Sequence, residues 1–126
     1  MTQLPEALLA YWNANTIGLP PLWFEFAPEV AQPPVAIFDP EGFSRDWGNV
    51  GFSLDTYRYK FSIYQIDPVT SYTQGFTAVS YMNDFEFPGL VMVTPKPESM
   101  ATPALVGQAN VWAYEFSLDI TLTPQN

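Results

Sequence analysis

Between Tyr57 and Phe85 the hydrophobic period changes from two to 3.6, and this switch constrains the fold more than any other feature of the chain. Tyr57, Tyr59, Phe61 and Ile63 occupy alternate positions, with Arg58, Lys60 and Ser62 between them. Successive side chains of an extended backbone point to opposite faces. The spacing therefore predicts a strand over Tyr57–Ile66 with one aromatic and one charged face. Asp67-Pro68 follows, pairing a good N-cap carboxylate with a residue whose missing N–H costs nothing in the first helical turn. Beyond it Val69, Tyr72, Phe76, Val79 and Met82 are spaced by three and four. That stripe predicts a helix folding back onto the strand's aromatic face. Gly75 at mid-span and the run of Thr and Ser make it an intrinsically weak helix, so packing must hold it.

The flanking chain reads in the same terms. Leu4–Asn15 is expected to form a short helix with Leu8, Tyr11 and Trp12 on one face, stopped by Gly18 and Pro20-Pro21. Leu22–Phe26 and Val35–Phe38 read as short strands, and the prolines around them favour a sheet edge. Asp39–Asp55 has no period and reads as a long loop, with a hairpin turn near Gly48-Asn49. Leu90–Thr94 is a short apolar strand ended by Pro95-Lys96-Pro97, and Glu98–Asn110 is a second loop. Val111–Leu122 is the cleanest strand. Trp112, Tyr114, Phe116, Leu118, Ile120 and Leu122 face one way, and Glu115, Ser117, Asp119 and Thr121 the other.

The order α-β-β-β-α-β-β predicts an α+β fold, a mostly antiparallel sheet with two helices packed on one face. Residues 1–126 are expected to form a single domain, with no linker and no internal repeat. Arg58 and Lys60 lie on the polar face of one long strand, and Glu115 and Asp119 on that of the other. Pairing of these charges predicts that the two strands are antiparallel neighbours.

Charge and composition bound the function. Thirteen acidic residues against four basic ones give a net charge of −9. Phosphate neutralisation needs clustered Lys and Arg, so direct nucleic-acid binding and adsorption to anionic membranes are not expected. No apolar run is long enough for a membrane span, and no basic-then-apolar leader opens the chain. Charged residues make up 13% of the chain, about half the usual share, which hints that neighbouring subunits cover part of the surface.

The chain contains neither histidine nor cysteine, which removes the commonest general base, the commonest metal ligand and the best nucleophile. Carboxylate pairs such as Glu115/Asp119 and Asp84/Glu86 remain, but the first lies where solvent-face charges belong. The expectation is no enzymatic activity, no catalytic residues, no cofactor and no metal. Trp23, Trp47 and Trp112 with the tyrosines offer an alternative, a small-ligand or carbohydrate-binding module.

A short N-terminal helix, a Pro-rich segment with the edge strands Leu22–Phe26 and Pro34-Val35-Ala36-Ile37-Phe38, an aromatic-alternating strand Tyr57–Tyr64 running straight into a helix, and a final alternating strand form a recognisable order. It resembles that of the tail-completion, or tail-terminator, proteins of long-tailed bacteriophages. The Asp39–Asp55 and Pro95–Asn110 segments and the extended last strand exceed that pattern. The resemblance implies an α+β subunit of a ring, usually a hexamer. Such a ring caps the head-proximal end of the tail tube and stops its growth. It also presents a surface to the head–tail connector and neck proteins. It implies a virion protein assembled in the host cytoplasm, with DNA passing through the lumen unbound. A related neck or head–tail adaptor role remains the alternative within the same class. For the contacts between subunits the expected residues are Phe43, Trp47 and Phe52 in the first loop and Met100, Leu105 and Val106 in the second.

Overall fold

The alternation over residues 57–63 is realised as the middle strand of a five-stranded sheet. The computed structural model describes residues 3–25, 34–47, 53–106 and 109–123, and covers the backbone alone at 47, 99–106 and 109–110. The elements are α1 (Leu4–Asn13), β1 (Leu22–Phe24), β2 (Val35–Trp47), β3 (Ser53–Gln65), α2 (Pro68–Met82), β4 (Leu90–Val106) and β5 (Ala109–Leu122). This is an α+β fold in the expected element order. Strand order is β1-β2-β3-β5-β4; β1 runs parallel to β2 and the other pairs are antiparallel.

Register explains the core. Phe24 lies opposite Phe38, Phe38 opposite Phe61, and Phe61 opposite Phe116, so one phenylalanine per strand forms a row across β1, β2, β3 and β5. Ring centroids along the row are 4.8, 5.1 and 5.0 Å apart, close to the spacing of the strands themselves. Trp12 of α1 stacks on Phe61 from above at 5.8 Å, and its indole N–H donates to the Pro20 carbonyl at 2.7 Å. The buried indole is thereby satisfied and the chain leaving α1 is fixed. Asn13 extends this join, accepting from the Leu22 amide and donating to the Leu22 carbonyl as a strand neighbour would.

Both helices were expected on one face of the sheet, but each instead serves its own end. α1 sits at the β1 end, whereas α2 lies over β5 and β4. Five strands at about 4.8 Å spacing make a sheet wider than one helix, which leaves room for this division. The helices meet where Tyr11 and Tyr81 stack at 4.4 Å. Each hydroxyl donates to the other residue's backbone carbonyl, at 2.9 and 2.6 Å. Burial raises the pKa of Tyr11.

Three further expectations are corrected. Asp39–Asp55 is not a loop where it is described: β2 runs through Trp47 and pairs antiparallel with β3 from Ser53, while the expected turn near Gly48-Asn49 lies outside the described residues. The absence of periodicity reflects exposure of the β2 residues 39–46, which a strand with two wet faces does not encode. Nor do Pro95 and Pro97 end β4, which continues to Val106 through the segment expected as a second loop. β4 is an edge strand, where a missing N–H costs nothing if it faces away from the neighbour. Register shifts at Leu90/Met92, Pro97/Ser99 and Ser99/Thr102 break its pattern further.

The third correction concerns α2. Its cap is as expected: the Asp67 carboxylate accepts from the Thr70 amide at 2.8 Å, which holds that carboxyl below its usual range. Its buried stripe, however, is Ser71, Gly75, Ala78 and Met82. That is the expected apolar stripe turned by one residue, about 100° around the axis. The cause is volume. The facing surface of β5 is filled by Tyr114, whose ring carbons lie 2.0–2.4 Å from where a Cβ on Gly75 would be. Only the small-residue side of α2 fits against that ring, so Val69, Tyr72 and Phe76 turn outward.

Candidate interaction surface

On the sheet face opposite the phenylalanine row, charges form a lattice. Arg58 on β3 lies directly opposite Asp119 on β5 and binds it through both guanidinium arms, at 2.7 and 3.0 Å. Lys96 on β4 reaches the same carboxylate from the other side at 3.0 Å, and Lys60 meets Glu115 at 3.2 Å. The adjacency of β3 and β5, and both charge pairs inferred from the sequence, are therefore present. The part played by Lys96 was not legible, because Pro95-Lys96-Pro97 read as the end of a strand. Between these pairs the Ser117 hydroxyl is buried beneath two carboxylates, 2.7 Å from Glu98 and 3.1 Å from Glu41.

The fourth base, Arg45, forms a two-armed pair with Asp55 across β2–β3 at 2.6 and 3.0 Å. Every Lys and Arg of the chain is thus engaged by a carboxylate, and the surplus charge of the surface is negative. The Arg58 bond, with Lys96 beside it, holds the Asp119 carboxyl below the usual carboxylate range. A depressed carboxyl pKa stabilises the fold above the unfolded value near 4, and that contribution is lost as pH falls through the folded value. Asp119→Asn should therefore cost about 1 kcal/mol at pH 7, the pair being partly screened by water. It should also flatten the decline of stability below pH 4, and urea unfolding at pH 7 and pH 3 measures both effects.

The apolar surface gathers at the two ends of the strands. At the C-terminal end of β3, Ile66 and Val69 are 70% and 72% exposed, with Phe76 at 62% and Tyr72 at 46%. Val69, Tyr72 and Phe76 stand three and four apart on the outer side of α2. From Val69 to Asn83 there is no Asp, Glu, Lys or Arg. At the other end, Phe43 on β2 is 55% exposed, leaning on Tyr57 at 5.0 Å with the Arg45 guanidinium over its ring. Val91 and Met92, at the start of β4, are exposed near the same end, where Leu90 and Asp55 both lie opposite Leu122.

Of the residues expected to contact other subunits, Phe43 is exposed on a strand rather than in a loop. Trp47 closes β2, and Met100, Leu105 and Val106 lie on the backbone of β4, their side chains falling outside the described set; Phe52 lies outside the described residues. Sequence reasoning missed Ile66, Val69, Tyr72 and Phe76 as surface residues. The signal was present in the Ser71-Gly75-Ala78 spacing, a second stripe that competes with the apolar one for the core.

Of the tryptophans expected to line a ligand site, Trp23 and Trp112 do not converge, and the side chain of Trp47 lies outside the described set. Trp23 and Trp112 sit on strands separated by two others and face opposite sides of the sheet. A cleft of about 260 Å³ opens beside β2, lined among others by Glu41, Phe43, Thr56, Arg58 and Asp119, but its Arg58 and Asp119 are already bound to each other. Glu115 and Asp119 are likewise committed to ion pairs. Among the described residues no three acidic groups converge as a metal site would require, and no helix is long and apolar enough to cross a membrane.

The fold and this surface define a small α+β chain with a five-stranded mixed sheet, an ion-paired face and two exposed apolar ends. The sequence matches no protein-family model and no curated protein.

Proposed function

We propose that this chain is a structural assembly subunit acting at the place the tail-completion resemblance implies. It is a virion protein that forms a hexameric ring at the head-proximal end of a phage tail tube, ends tube growth and joins the tail to the neck. The observation that carries the reading is the uncharged outer row of α2, Val69, Tyr72 and Phe76 with Ile66 beside it. Leaving such a row in water forgoes roughly 25 cal/mol for each Å² of apolar surface, a cost that a covering subunit removes. The electrostatics support the same role. With all four bases engaged and a net charge of −9, a ring of these subunits offers DNA phosphates no cation, so a duplex passes through the lumen without adhering.

The test is light scattering over a wide concentration range, with electron microscopy of the same samples. The expected result is an annular particle of several copies that dissociates when Val69 and Phe76 are both replaced by serine. A wild-type chain that stays monomeric throughout and forms no rings overturns the reading. So does a ring whose channel is lined by neutral or basic side chains.

A further inference from the structure

A strand edge is a row of unpaired N–H and C=O groups, and proteins blunt such rows with short strands, prolines and bulges. The two outermost strands here are blunted in that way. β1 is three residues long, and β4 carries Pro95, Pro97 and Pro103 as well as its register shifts. The outer side of β2 is different. β1 covers it at residues 36–38, and among the described residues no strand pairs with that side from Asp39 to Trp47. Phe38 turns its carbonyl outward, to the Glu25 amide. Outward-facing residues alternate along an antiparallel pair, and Phe38 lies opposite Phe61 of β3 while Phe43 lies opposite Tyr57, so Phe43 faces outward too. The strand's one proline is Pro40, and its register shift falls between Pro40 and Gly42. From Gly42 to Trp47 neither device blunts the edge.

Charge selects what fits there. Asp39, Glu41 and Asp46 are exposed and share the polar face of β2. Arg58, Lys60 and Lys96 are engaged by Asp119 and Glu115, and among the described residues no base pairs with those three carboxylates. The cleft of about 260 Å³ opens on the same face, bounded by Glu41, Gly42 and Ser44. We propose that β2 takes an extended segment of a different protein as a sixth strand, one whose alternate residues are lysine or arginine. Main-chain hydrogen bonds hold the added strand, and its cations pair with the acidic face, one of them entering the cleft. A second copy of this chain does not fit. β2 set against β2 about a two-fold axis brings like carboxylates side by side, and the edge of β4 is interrupted by its prolines. The contact is separate from any contact between ring subunits and stands without it.

The probe is a labelled octapeptide alternating lysine and valine, titrated against the full chain by fluorescence anisotropy. It should bind saturably, one per chain, and protect the Phe43 amide from hydrogen exchange. A peptide alternating glutamate and valine, and one with its lysines and valines in separate blocks, should each bind at least about tenfold more weakly. N-methylation of alternate residues should abolish binding in one phase and spare it in the other, because only one set of amides faces β2. Phe43→Pro removes the outward amide without breaking the β2–β3 ladder and should lose the peptide, whereas Phe43→Ala should keep it. Glu41→Gln/Asp46→Asn should weaken it severalfold. An unchanged melting temperature verifies each fold, and if Phe43→Pro does not fold the methylated peptides decide. Absence of saturable binding overturns the proposal. Equal binding of the block peptide does so by showing that net charge alone attracts it, and an indifferent Phe43→Pro by placing the peptide elsewhere. Self-association that Phe43→Pro abolishes overturns it in favour of a second copy. Rings without peptide binding leave the assembly reading standing, and peptide binding without rings leaves this one.

Discussion

Gly75→Ala should destabilise the chain by about 2 kcal/mol and lower its melting temperature by about 10 °C, although alanine is the better helix former. In an exposed helix the exchange would gain about 1 kcal/mol. Here the new methyl would lie 2.0 Å from the Tyr114 Cγ, and Tyr114 is 1% exposed. The ring cannot yield easily, because Tyr72 packs on its edge and Phe116 lies beside it on the same strand. α2 must therefore lift from β5, loosening Ala78 and Met82 as it goes. Overpacking of a filled core costs typically 1–3 kcal/mol, and at this distance the upper end applies, so the packing loss exceeds the propensity gain. A double-mutant cycle with Tyr114→Leu separates the causes. Trimming the ring should remove most of the penalty, giving a coupling of about 1 kcal/mol or more by urea unfolding. Additive losses, or a stabilised Gly75→Ala, would refute the close approach.

The same contact explains what the sequence could and could not disclose. Period two over Tyr57–Ile63 and Trp112–Leu122 exposed β3 and β5, because each has one apolar face and one face of polar residues. The opposite charges on their polar faces were enough to make them neighbours. Asp67-Pro68 marked the start of α2 because capping is a local interaction. Rotation of α2 is decided by whether side chains fit across 114 and 75, residues far apart in the chain, and an apolar count along one helix carries no such information. β2 beyond Phe38 and β4 beyond Thr94 were hidden for another reason. One lies exposed along 39–46; the other is an edge interrupted by prolines and bulges, and neither imposes an alternating pattern. Phe43, with Trp47 and Phe52, was among the expected contact residues because large aromatics in an aperiodic stretch have no core position assigned to them. The α2 row was overlooked because it had been given one.

Two phenylalanines on neighbouring elements should respond to alanine in opposite ways. Phe61 is fully buried, stacked between Phe38 and Phe116 with interplanar angles of 11° and 5°, beneath the Trp12 indole at 13°. Its loss removes the ring's own burial and leaves three aromatic neighbours facing a cavity. Phe→Ala at such sites costs about 3–5 kcal/mol, which for a domain of ordinary stability is a third or more of the total. Phe61→Ala should thus unfold at much lower urea with an unchanged slope, or fail to accumulate as folded protein. In the latter case Phe61→Leu, which keeps most of the volume, should fold at a smaller cost. Phe76 is 62% exposed on α2, and Phe76→Ala should change the stability of the monomer by less than about 0.5 kcal/mol. If its ring serves contact between copies, its removal acts on association alone: the concentration dependence of the melting temperature should vanish while the value at high dilution stays. A Phe76→Ala monomer that melts as low as Phe61→Ala would mean that α2 buries its other stripe after all, and the apolar row would no longer be available to a partner.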